Sequence, residues 1–441
     1  MLSITDFRTT MPTGMELRQA LPRAQMNIED AAEKIRPVMQ AVKTRGGAAL
    51  RELSEQFDGV RPKNLRVPAE ELSQALEQLD PAVREAMDIS IAHNRAGHRA
   101  QVPSERVTEI MPGGIVRQRW IPVERVGLYV PGGLAVYPSS VIMNVVTAQE
   151  AGVSQIAVAS PPQTRFGGKV HPTILAACQL LGVKEVYAVG GAQAIAMFAY
   201  GASGEEGVDP DPLCQPVDVI TGPGNIFVAA AKRLVRAVCG IDAEAGPTEI
   251  GIIADQSANP ALVAADMISQ AEHDPNAASV LFTDSPQLAN AVEKEIVPAA
   301  QRTKHSQRVC QALSGPQSGI VLVADIDSAI AAVNAYAPEH LEIHTVEAKV
   351  VAEKIRNAGA IFVGSYTPVP LGDYLAGSNH VLPTGGTARY EGGLSVMAYL
   401  KPVQQIEYQR TALETMARPL TAFADAEDLP AHEEAVNCRF S

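Results

Sequence analysis

The sequence predicts an α/β protein built from two Rossmann-like parallel-sheet units. Short runs rich in β-branched residues alternate with helical patterns from about residue 125 to residue 364. Such alternation is typical of parallel sheets that are covered by helices on both faces. The runs fall into two series of similar length, which predicts two units. An N-terminal helical segment and a small helical C-terminal domain are expected to flank them.

The first hundred residues are expected to be helical. Apolar residues recur at helical spacing over 28–45 and again over 48–57, and Gly46-Gly47 interrupts the pattern between them. Asp80-Pro81 is typical of a helix start, because Asp caps the free N–H groups and Pro suits the first turn. The period then changes to that of strands on both sides of Pro112-Gly113-Gly114, which indicates a hairpin.

Two series of strands are predicted after the hairpin. The first consists of 126–130, 156–160, 186–190 and 217–221, and the second of 249–253, 279–283, 319–323, 341–345 and 360–364. Segment 202–216 is polar, rich in Pro and longer than most connections, so a surface loop is expected there. The stretch from about Tyr399 onward is expected to be mostly helical and charged.

The composition excludes several classes of protein. Thirty-six Lys and Arg against 49 Asp and Glu leave a net charge of −13 over 441 residues, with no cationic block, so no nucleic-acid partner is expected. No apolar run approaches the roughly 18 residues of a membrane span, and the N-terminus has no signal-peptide pattern. The five scattered cysteines include no C-x-x-C pair. They favour the cytoplasm and argue against a disulfide scaffold or a thiolate zinc site.

Three glycine-rich segments stand at the ends of strands of the first series. They are YVPGG (129–133), GGAQ (190–193) and GPGN (222–225). Ligands of open α/β sheets bind at this edge, where helix N-termini present N–H groups to anions. The G-x-G-x-x-G motif of ordinary Rossmann dehydrogenases is absent. Each segment alone is explained by a tight turn, but three on one edge favour a phosphate-bearing ligand.

Polar side chains accompany the second series of strands. Gln270 and His273 are three residues apart at the end of a predicted helix and therefore share one face, where both can meet one metal ion. Glu339 and His340 place an acid next to an imidazole just before a strand. A neighbouring histidine, His344, is interpreted as an ordinary sheet residue.

The long segment 364–389 contains too many Gly and Pro residues for regular structure, and it includes Asp373 and His380. Long irregular segments inside compact domains are disproportionately functional. The C-terminal region adds Glu427 and His432. Any one histidine is more often structural than a ligand, so these residues are candidates only as a group.

Taken together, these segments resemble the histidinol dehydrogenase family. The resemblance rests on eight motifs whose order and spacing match those of the family. They are YVPGG, VGGAQAIA, TGPGN, AGPTE, SQAEH, APEHLEI, GDYLAGSNHVLPTGGTARY and AHEEAV. The likeness extends from about residue 25 to the end of the chain, and eight motifs in one order are far more specific than a single loop. The departure from the family pattern is segment 202–216, which is longer than expected. The family contains the zinc- and NAD-dependent enzymes of the last two steps of histidine biosynthesis.

The resemblance implies one zinc ion per subunit, bound by Gln270, His273, Asp373 and His432. In the family, the last of these histidines comes from the partner subunit, so a homodimer with shared active sites is implied. Two imidazoles and two oxygen ligands suit zinc. The substrate's own imidazole and amine would complete the shell.

The resemblance also assigns the catalytic pair, Glu339 and His340. An imidazole suits removal of the hydroxyl proton of L-histidinol while a hydride leaves to NAD, and a carboxylate can activate water for the second oxidation. The implied substrate contacts are Thr248, Gln270, His273, His340, Asp373, His380, Glu427 and His432. The implied NAD contacts are Tyr129, Gln193 and Asn225.

Domain boundaries follow from the same resemblance. The expected parts are an N-terminal arm (1–24), an α/β domain with the metal and catalytic residues (25–124 plus 246–395), an inserted NAD-binding domain (125–245) and a C-terminal domain that reaches the partner (396–441). Three alternatives stay open. They are a related zinc- and NAD-dependent dehydrogenase of another polar alcohol such as a sulfonated diol, a zinc hydrolase, and an inactive metal-dependent dimer. Glu427, His432 and the APEHLEI motif favour histidinol.

Overall fold

The computed structural model describes residues 2–24, 27–132 and 136–440, which contain fourteen strands and sixteen α-helices. The strands are β1 (Ser3–Asp6), β2 (Arg106–Met111), β3 (Gly114–Pro122), β4 (Arg125–Tyr129), β5 (Gln155–Ser160), β6 (Glu185–Ala188), β7 (Val219–Thr221), β8 (Gly240–Ile241), β9 (Glu249–Ala254), β10 (Ala278–Thr283), β11 (Gly319–Leu322), β12 (His340–His344), β13 (Ala360–Val363) and β14 (Leu400–Tyr408). The helices are α1 (Gly14–Ala20), α2 (Ile28–Asp58), α3 (Ala69–Glu77), α4 (Pro81–Arg99), α5 (Pro138–Ala151), α6 (Pro172–Leu180), α7 (Gly191–Tyr200), α8 (Ile226–Val235), α9 (Pro260–Ala271), α10 (Pro286–Arg302), α11 (Ser306–Ser314), α12 (Ile326–Tyr336), α13 (Ala348–Lys354), α14 (Val369–Tyr374), α15 (Arg410–Ala426) and α16 (Pro430–Asn437).

A five-stranded sheet contains the first predicted series of strands. Its order is β6-β5-β4-β7-β8, and all neighbouring pairs are parallel. Alternate residues enter different clusters of buried apolar side chains, with Leu128 on one face and Tyr129 on the other. The strand order reverses between β4 and β7, and such a switch point is where open α/β sheets bind ligands. The predicted strands are confirmed, and β8 is an addition.

A six-stranded parallel sheet contains the second series. Its order is β1-β11-β10-β9-β12-β13, which confirms the second α/β unit. Strand β1 corrects the prediction that the first hundred residues are entirely helical. Residues 3–6 are too few to show a period, and their pairing partner, Gly319–Leu322, is distant in the sequence.

A three-stranded antiparallel sheet has the order β14-β3-β2. The predicted hairpin is confirmed as β2 and β3. The prediction of a mostly helical stretch from Tyr399 is wrong for its first part, because β14 pairs with β3 from Leu400 to Tyr408. Most of β14 is exposed, so it lacks the apolar alternation of a half-buried strand. The helices α15 and α16 follow as predicted.

The N-terminal helices confirm the predicted interruption and cap. Gly46 breaks α2 with φ +50° and ψ −127°, and a Cβ at this position would collide with the Ser203 backbone. Asp80 caps α4 by accepting hydrogen bonds from the N–H groups of Ala82 and Val83, at 2.8 and 3.4 Å. Helix α2 packs against α7 and α8, while α3 and α4 pack against α6 and α5. No helix in the described ranges is both long and apolar enough to cross a membrane.

Segment 202–216 is only partly the surface loop that the sequence predicts. It folds over α2, where the buried guanidinium of Arg51 binds Asp209 at 2.6 Å and Glu205 at 2.8 Å. Leu213 and Cys214 are buried among apolar side chains. The segment therefore stabilises the contact between α2 and the five-stranded sheet.

Candidate active site

Most of the predicted substrate and metal residues converge at the amino edge of the six-stranded sheet. Thr248 precedes β9, Glu339 precedes β12, and His273 lies between α9 and β10. The carboxyl edge of the five-stranded sheet faces them, because Tyr137 at the start of α5 stacks on His273 with ring centroids 6.5 Å apart and planes 7° apart. The cluster therefore lies where the two sheets meet.

Glu339 is fixed by two hydrogen bonds at one of its oxygens. Oε2 accepts from the Thr248 hydroxyl at 2.5 Å and from the Glu249 N–H at 2.9 Å. Ala337, two residues earlier, has φ +52°, an uncommon conformation for a residue with a side chain. Burial raises the pKa of Glu339, which makes its carboxylate a stronger base than an exposed one.

His340 is buried between two carboxylates, and neither of its ring nitrogens has a hydrogen-bond partner among the residues that the structure describes. Nδ1 lies 3.5 Å from Glu339 Oε2, and Nε2 lies 3.7 Å from Asp373 Oδ1. Burial opposes a charge on the ring, but the two carboxylates outweigh it and raise the pKa of His340 to about 9. Two buried ring nitrogens without partners indicate a site for a ligand.

Gln270, His273 and Asp373 provide three further ligand atoms. His273 Nε2 lies 4.0 Å from Asp373 Oδ2. Gln270 Nε2 donates to Thr248 Oγ1 at 2.7 Å, which leaves Gln270 Oε1 buried without a partner. Burial lowers the pKa of His273 and so favours the neutral imidazole that binds metals. An amide oxygen, an imidazole and a carboxylate together fit a zinc ion.

His380 is attached to the opposite side of the cluster. Its Nε2 lies 2.9 Å from the hydroxyl of Ser140, in the first turn of α5, and its N–H donates to the sulfur of Met143. Burial lowers the pKa of His380, against the opposing effect of Asp373. The structure thus brings His380 into the group around Asp373.

Glu427 and His432 lie apart from this cluster. Both side chains are exposed, at the end of α15 and within α16. Within the described residues, the His432 backbone N–H bonds to Leu429, and no contact joins either side chain to the group around His340. A single chain therefore does not assemble the complete set of predicted residues.

A cavity of about 520 Å³ opens beside His273 and Asp373. Tyr137, Tyr374 and Arg308 contribute to its wall, and sequence reasoning missed all three. Tyr137 follows one of the glycine-rich segments, so its position after a strand was an available signal. Tyr374 and Arg308 have no comparable signal, because tertiary packing alone brings them here.

The three predicted NAD contacts lie at the carboxyl edge of the five-stranded sheet. The buried Tyr129 hydroxyl accepts a hydrogen bond from the Gly191 N–H at 3.0 Å, and burial raises the pKa of Tyr129 to about 12. Gln193 is buried in the first turn of α7. Asn225 caps α8 by accepting from two N–H groups at 3.1 and 3.2 Å. The last residue of the first glycine-rich segment, Gly133, is outside the described residues.

These loops also contact one another. Gly222 has φ +118°, and a Cβ there would collide with the carbonyl of Tyr129, so the loop after β7 approaches the end of β4 closely. The first residue of α7, Gly191, also contacts Tyr129, because its N–H donates to the Tyr129 hydroxyl. The glycine-rich segments thus form one continuous edge.

A second buried polar cluster was not predicted. Asp266, Glu342 and His344 present ligand atoms within 4.8 Å of one another. His344 Nε2 lies 3.3 Å from Glu342 Oε2 and 3.6 Å from Asp266 Oδ2, and Glu342 also accepts from the Val369 N–H at 2.8 Å. Burial, helped by Glu342, raises the pKa of Asp266 to about 8. The available signal was the alternation of His340, Glu342 and His344, which share one face of β12.

Comparison with known proteins supports the resemblance in the motifs. The sequence profile of the histidinol dehydrogenase family matches residues 21–440. Histidinol dehydrogenases from Thermobifida fusca (strain YX) and Nocardia farcinica (strain IFM 10152) are similar to this chain. The first is 60% identical over 422 residues, covering 96% of this chain and 94% of the relative. The second is 57% identical over 439 residues, covering 100% and 98%.

A solved structure extends the similarity to the fold. The crystal structure of the histidinol dehydrogenase from Elizabethkingia anophelis superposes with a TM-score of 0.91 at 30% identity. The alignment covers 100% of this chain and 98% of the other. By profile, sequence identity and fold, the chain belongs to the histidinol dehydrogenase family.

Proposed function

We propose that this chain oxidises L-histidinol with NAD, first to L-histidinaldehyde and then to L-histidine, the last two steps of histidine biosynthesis. The observation that supports this most directly is the buried pair Glu339 and His340 beside Gln270, His273 and Asp373. It joins an acid and an imidazole to a set of zinc-binding atoms. Membership of the family supports the substrate.

One zinc ion per subunit is bound by Gln270 Oε1, His273, Asp373 and a His432 supplied by a second copy of the chain. The partnerless Gln270 Oε1 and the exposure of His432 support this assignment. When bound, the metal supplies a Lewis acid that orients the imidazole and amine of histidinol and, by its charge, lowers the proton affinity of His340. The enzyme is therefore proposed to be a homodimer with shared active sites.

In the first oxidation, His340 accepts the hydroxyl proton of histidinol as a hydride moves from the carbinol carbon to the nicotinamide ring. The carboxylates of Glu339 and Asp373 stabilise the imidazolium that forms. The products are the aldehyde, NADH and a proton on His340. The buried position keeps bulk water from competing for that proton.

In the second oxidation, Glu339 activates a water molecule that adds to the aldehyde carbon. Its Oε2 is occupied by Thr248 and the Glu249 N–H, so Oε1 accepts the proton of the water. As the hydroxide adds, the protonated His340 returns its proton to the aldehyde oxygen, which gives the gem-diol and a neutral imidazole. The gem-diol then loses a hydride to a second NAD while His340 takes a hydroxyl proton, and the protons on Glu339 and His340 leave to solvent before the next turnover. Thr248, His380 and, from the second copy, Glu427 are proposed to contact the substrate.

NAD is proposed to bind at the carboxyl edge of the five-stranded sheet, near Tyr129, Gln193 and Asn225. This assigns 125–245 to an NAD-binding domain inserted between 25–124 and 246–395, with 1–24 as an arm and 396–441 reaching the partner. A cytoplasmic location is proposed as well, and it is consistent with five cysteines that form no disulfide among the described residues.

Stoichiometry tests this function. Purified enzyme with L-histidinol should release two NADH per molecule consumed and yield L-histidine, and a chelator should abolish turnover until zinc is restored. One NADH per substrate would contradict the four-electron reaction. Turnover of a sulfonated diol without turnover of histidinol would assign the enzyme to the related alcohol dehydrogenases instead.

A further inference from the structure

Asp58 ends helix α2 at the carboxyl edge of the five-stranded sheet. A Cβ built on Gly190, just before α7, would lie 3.3 Å from Asp58 Oδ1 and 2.6 Å from the side chain of Pro161, which follows β5. The Asp58 carboxylate also interacts electrostatically with the Tyr129 hydroxyl at the end of β4. It therefore lies beside the ends of three neighbouring strands, although α2 belongs to none of the connections within that sheet.

One oxygen of this carboxylate has no well-formed hydrogen bond among the described residues. Asp58 Oδ2 is buried and has no hydrogen-bond partner, and the hydroxyl of Ser54, one turn earlier on α2, is likewise buried without one. Burial raises the pKa of Asp58 to about 6, against the smaller effect of the Ser54 hydroxyl. A carboxylate oxygen that is buried with only the Ser54 hydroxyl beside it costs free energy, and hydrogen bonds from a ligand would offset that cost.

The position of Asp58 in its helix adds a second cost. The last turn of a helix bears partial negative charge and favours cations there. Asp58 is the last residue of α2, which ends at Gly59 with φ +68°. Folding stability alone would thus favour Lys or Asn at this position. The buried carboxylate oxygen and the negative charge at a helix C-terminus are two independent costs at one residue, and together they indicate a binding role.

The topology identifies the ligand group. The strand order makes β4, β5 and β6 the first three strands of a Rossmann-like half, and in that fold an acid after the second strand binds the ribose of the adenosine. Here Pro161, Pro162 and Gln163 follow β5, and none of them is acidic. Asp58 approaches Pro161 from outside the sheet and brings a carboxylate to the place where the fold lacks one.

We propose that Asp58 is the residue that selects NAD over NADP. Its carboxylate accepts hydrogen bonds from the vicinal hydroxyls of the adenosine ribose, and rotation about Cβ–Cγ presents either oxygen. The 2′-phosphate of NADP would meet the same carboxylate as a like charge. The proposal rests on the function proposed above, because it takes the edge at Tyr129 and Gln193 as the dinucleotide site.

The test compares Asp58→Asn, which keeps the shape and removes the charge, with Glu55→Gln on the same helix. Glu55 is exposed and pairs with the exposed Arg61 at 3.4 Å. Affinities of the zinc-loaded dimer for NAD and NADP are measured by calorimetry, and kcat/KM is measured with each cofactor. Asp58→Asn should bind NAD about tenfold more weakly and lower the NAD-to-NADP preference by about 10- to 100-fold. Glu55→Gln should match the wild type.

The thermal midpoint of the cofactor-free enzyme separates a ligand-binding role from a structural one. Since an amide can keep the contact with the Ser54 hydroxyl and carries no buried charge, Asp58→Asn should melt at the wild-type temperature or above it, while its stabilisation by NAD shrinks. An unchanged cofactor preference overturns the proposal, and so does a fall in preference accompanied by a lower midpoint without cofactor. Wild-type enzyme that binds NAD selectively but leaves histidinol unoxidised would refute the proposed function alone. Wild-type enzyme that binds both cofactors equally would refute the role of Asp58 alone.

Discussion

The residues proposed to bind substrate fall in two regions with opposite physical character. Around His340 they are buried or half-buried, held by hydrogen bonds as short as 2.5 Å and surrounded by other ionisable groups. At the C-terminus, Glu427 and His432 are exposed and have no contact with that cluster among the described residues. One chain thus brings together the proposed base, the proposed water activator and three of the four proposed metal ligands, whereas the fourth proposed ligand, His432, lies on a surface away from them.

The structure around the C-terminal region fits this division. Helices α15 and α16 pack against each other, and their few buried residues, Ala412, Ala424 and Val436, belong to none of the apolar clusters found in the described chain. Apolar side chains on the same region are exposed, including Ile406 on β14 and Phe423 on α15. A region with little core of its own and exposed apolar side chains is suited to pack on a second copy.

The largest effect on activity is expected when the buried region is inactivated in one chain and the C-terminal region in another. His340→Ala and His432→Ala should each lower kcat by about 1,000-fold or more, because one removes the proposed base and the other a proposed zinc ligand. In a mixed dimer, one of the two sites combines an intact His340 from one chain with an intact His432 from the other, and the second site has neither. Because about half of randomly assembled dimers are mixed, co-assembly should restore about one quarter of wild-type activity.

Two affinity tags allow the mixed dimer to be isolated and assayed. Both single variants, purified alone and then mixed without exchange of subunits, provide the background. Mixed dimers that stay as inactive as either variant would show that His432 acts within its own chain, and the contrast between the two regions would then disappear.

A smaller and more selective effect is expected inside the buried region. Glu339→Gln should slow oxidation of L-histidinaldehyde by about 100-fold or more and slow oxidation of L-histidinol far less, because only the second step needs activated water. Single-turnover measurements from each substrate give the two rates. Glu347→Gln, an exposed glutamate beyond the same strand, is the matched control. Equal losses in both steps would reduce Glu339 to a residue that orients His340.

The same contrast explains how much could be predicted from the sequence. Strands β4 to β7 and β9 to β13 are apolar runs between helices, and all were predicted. Strands β1 and β14 were missed because one is very short, the other is exposed, and both pair with distant segments. Burial of apolar residues leaves a local period, whereas pairing at an exposed edge does not.

For the candidate site, motifs identified residue types but not their contacts. Glu339 and Thr248 are 91 positions apart, and their hydrogen bond follows from the pairing of β12 with β9. The cluster of Asp266, Glu342 and His344 depends on how α9 packs over β12. The periodicity of the sequence shows which residues share a face, but it does not show how far a residue of the helix lies from a residue of the strand. Helix packing likewise places Asp58 near Pro161, the residue after β5, although the two are far apart in the sequence.

The smallest effect concerns stability and again separates the buried region from the exposed one. Folding raises the pKa of Asp266 from 3.8 to about 8, so between these values the folded state retains a proton that the unfolded state releases. Wild-type stability should therefore decline as pH rises from about 4 to 8. Asp266→Asn removes this contribution, so its melting temperature relative to wild type should rise by about 2–4 °C between pH 5 and pH 8. Asp425→Asn, exposed on α15, should follow the wild-type curve at every pH. A difference between Asp266→Asn and wild type that is constant with pH would mean that Asp266 ionises alike in both states, and that its cluster is as open to water as the C-terminal helices.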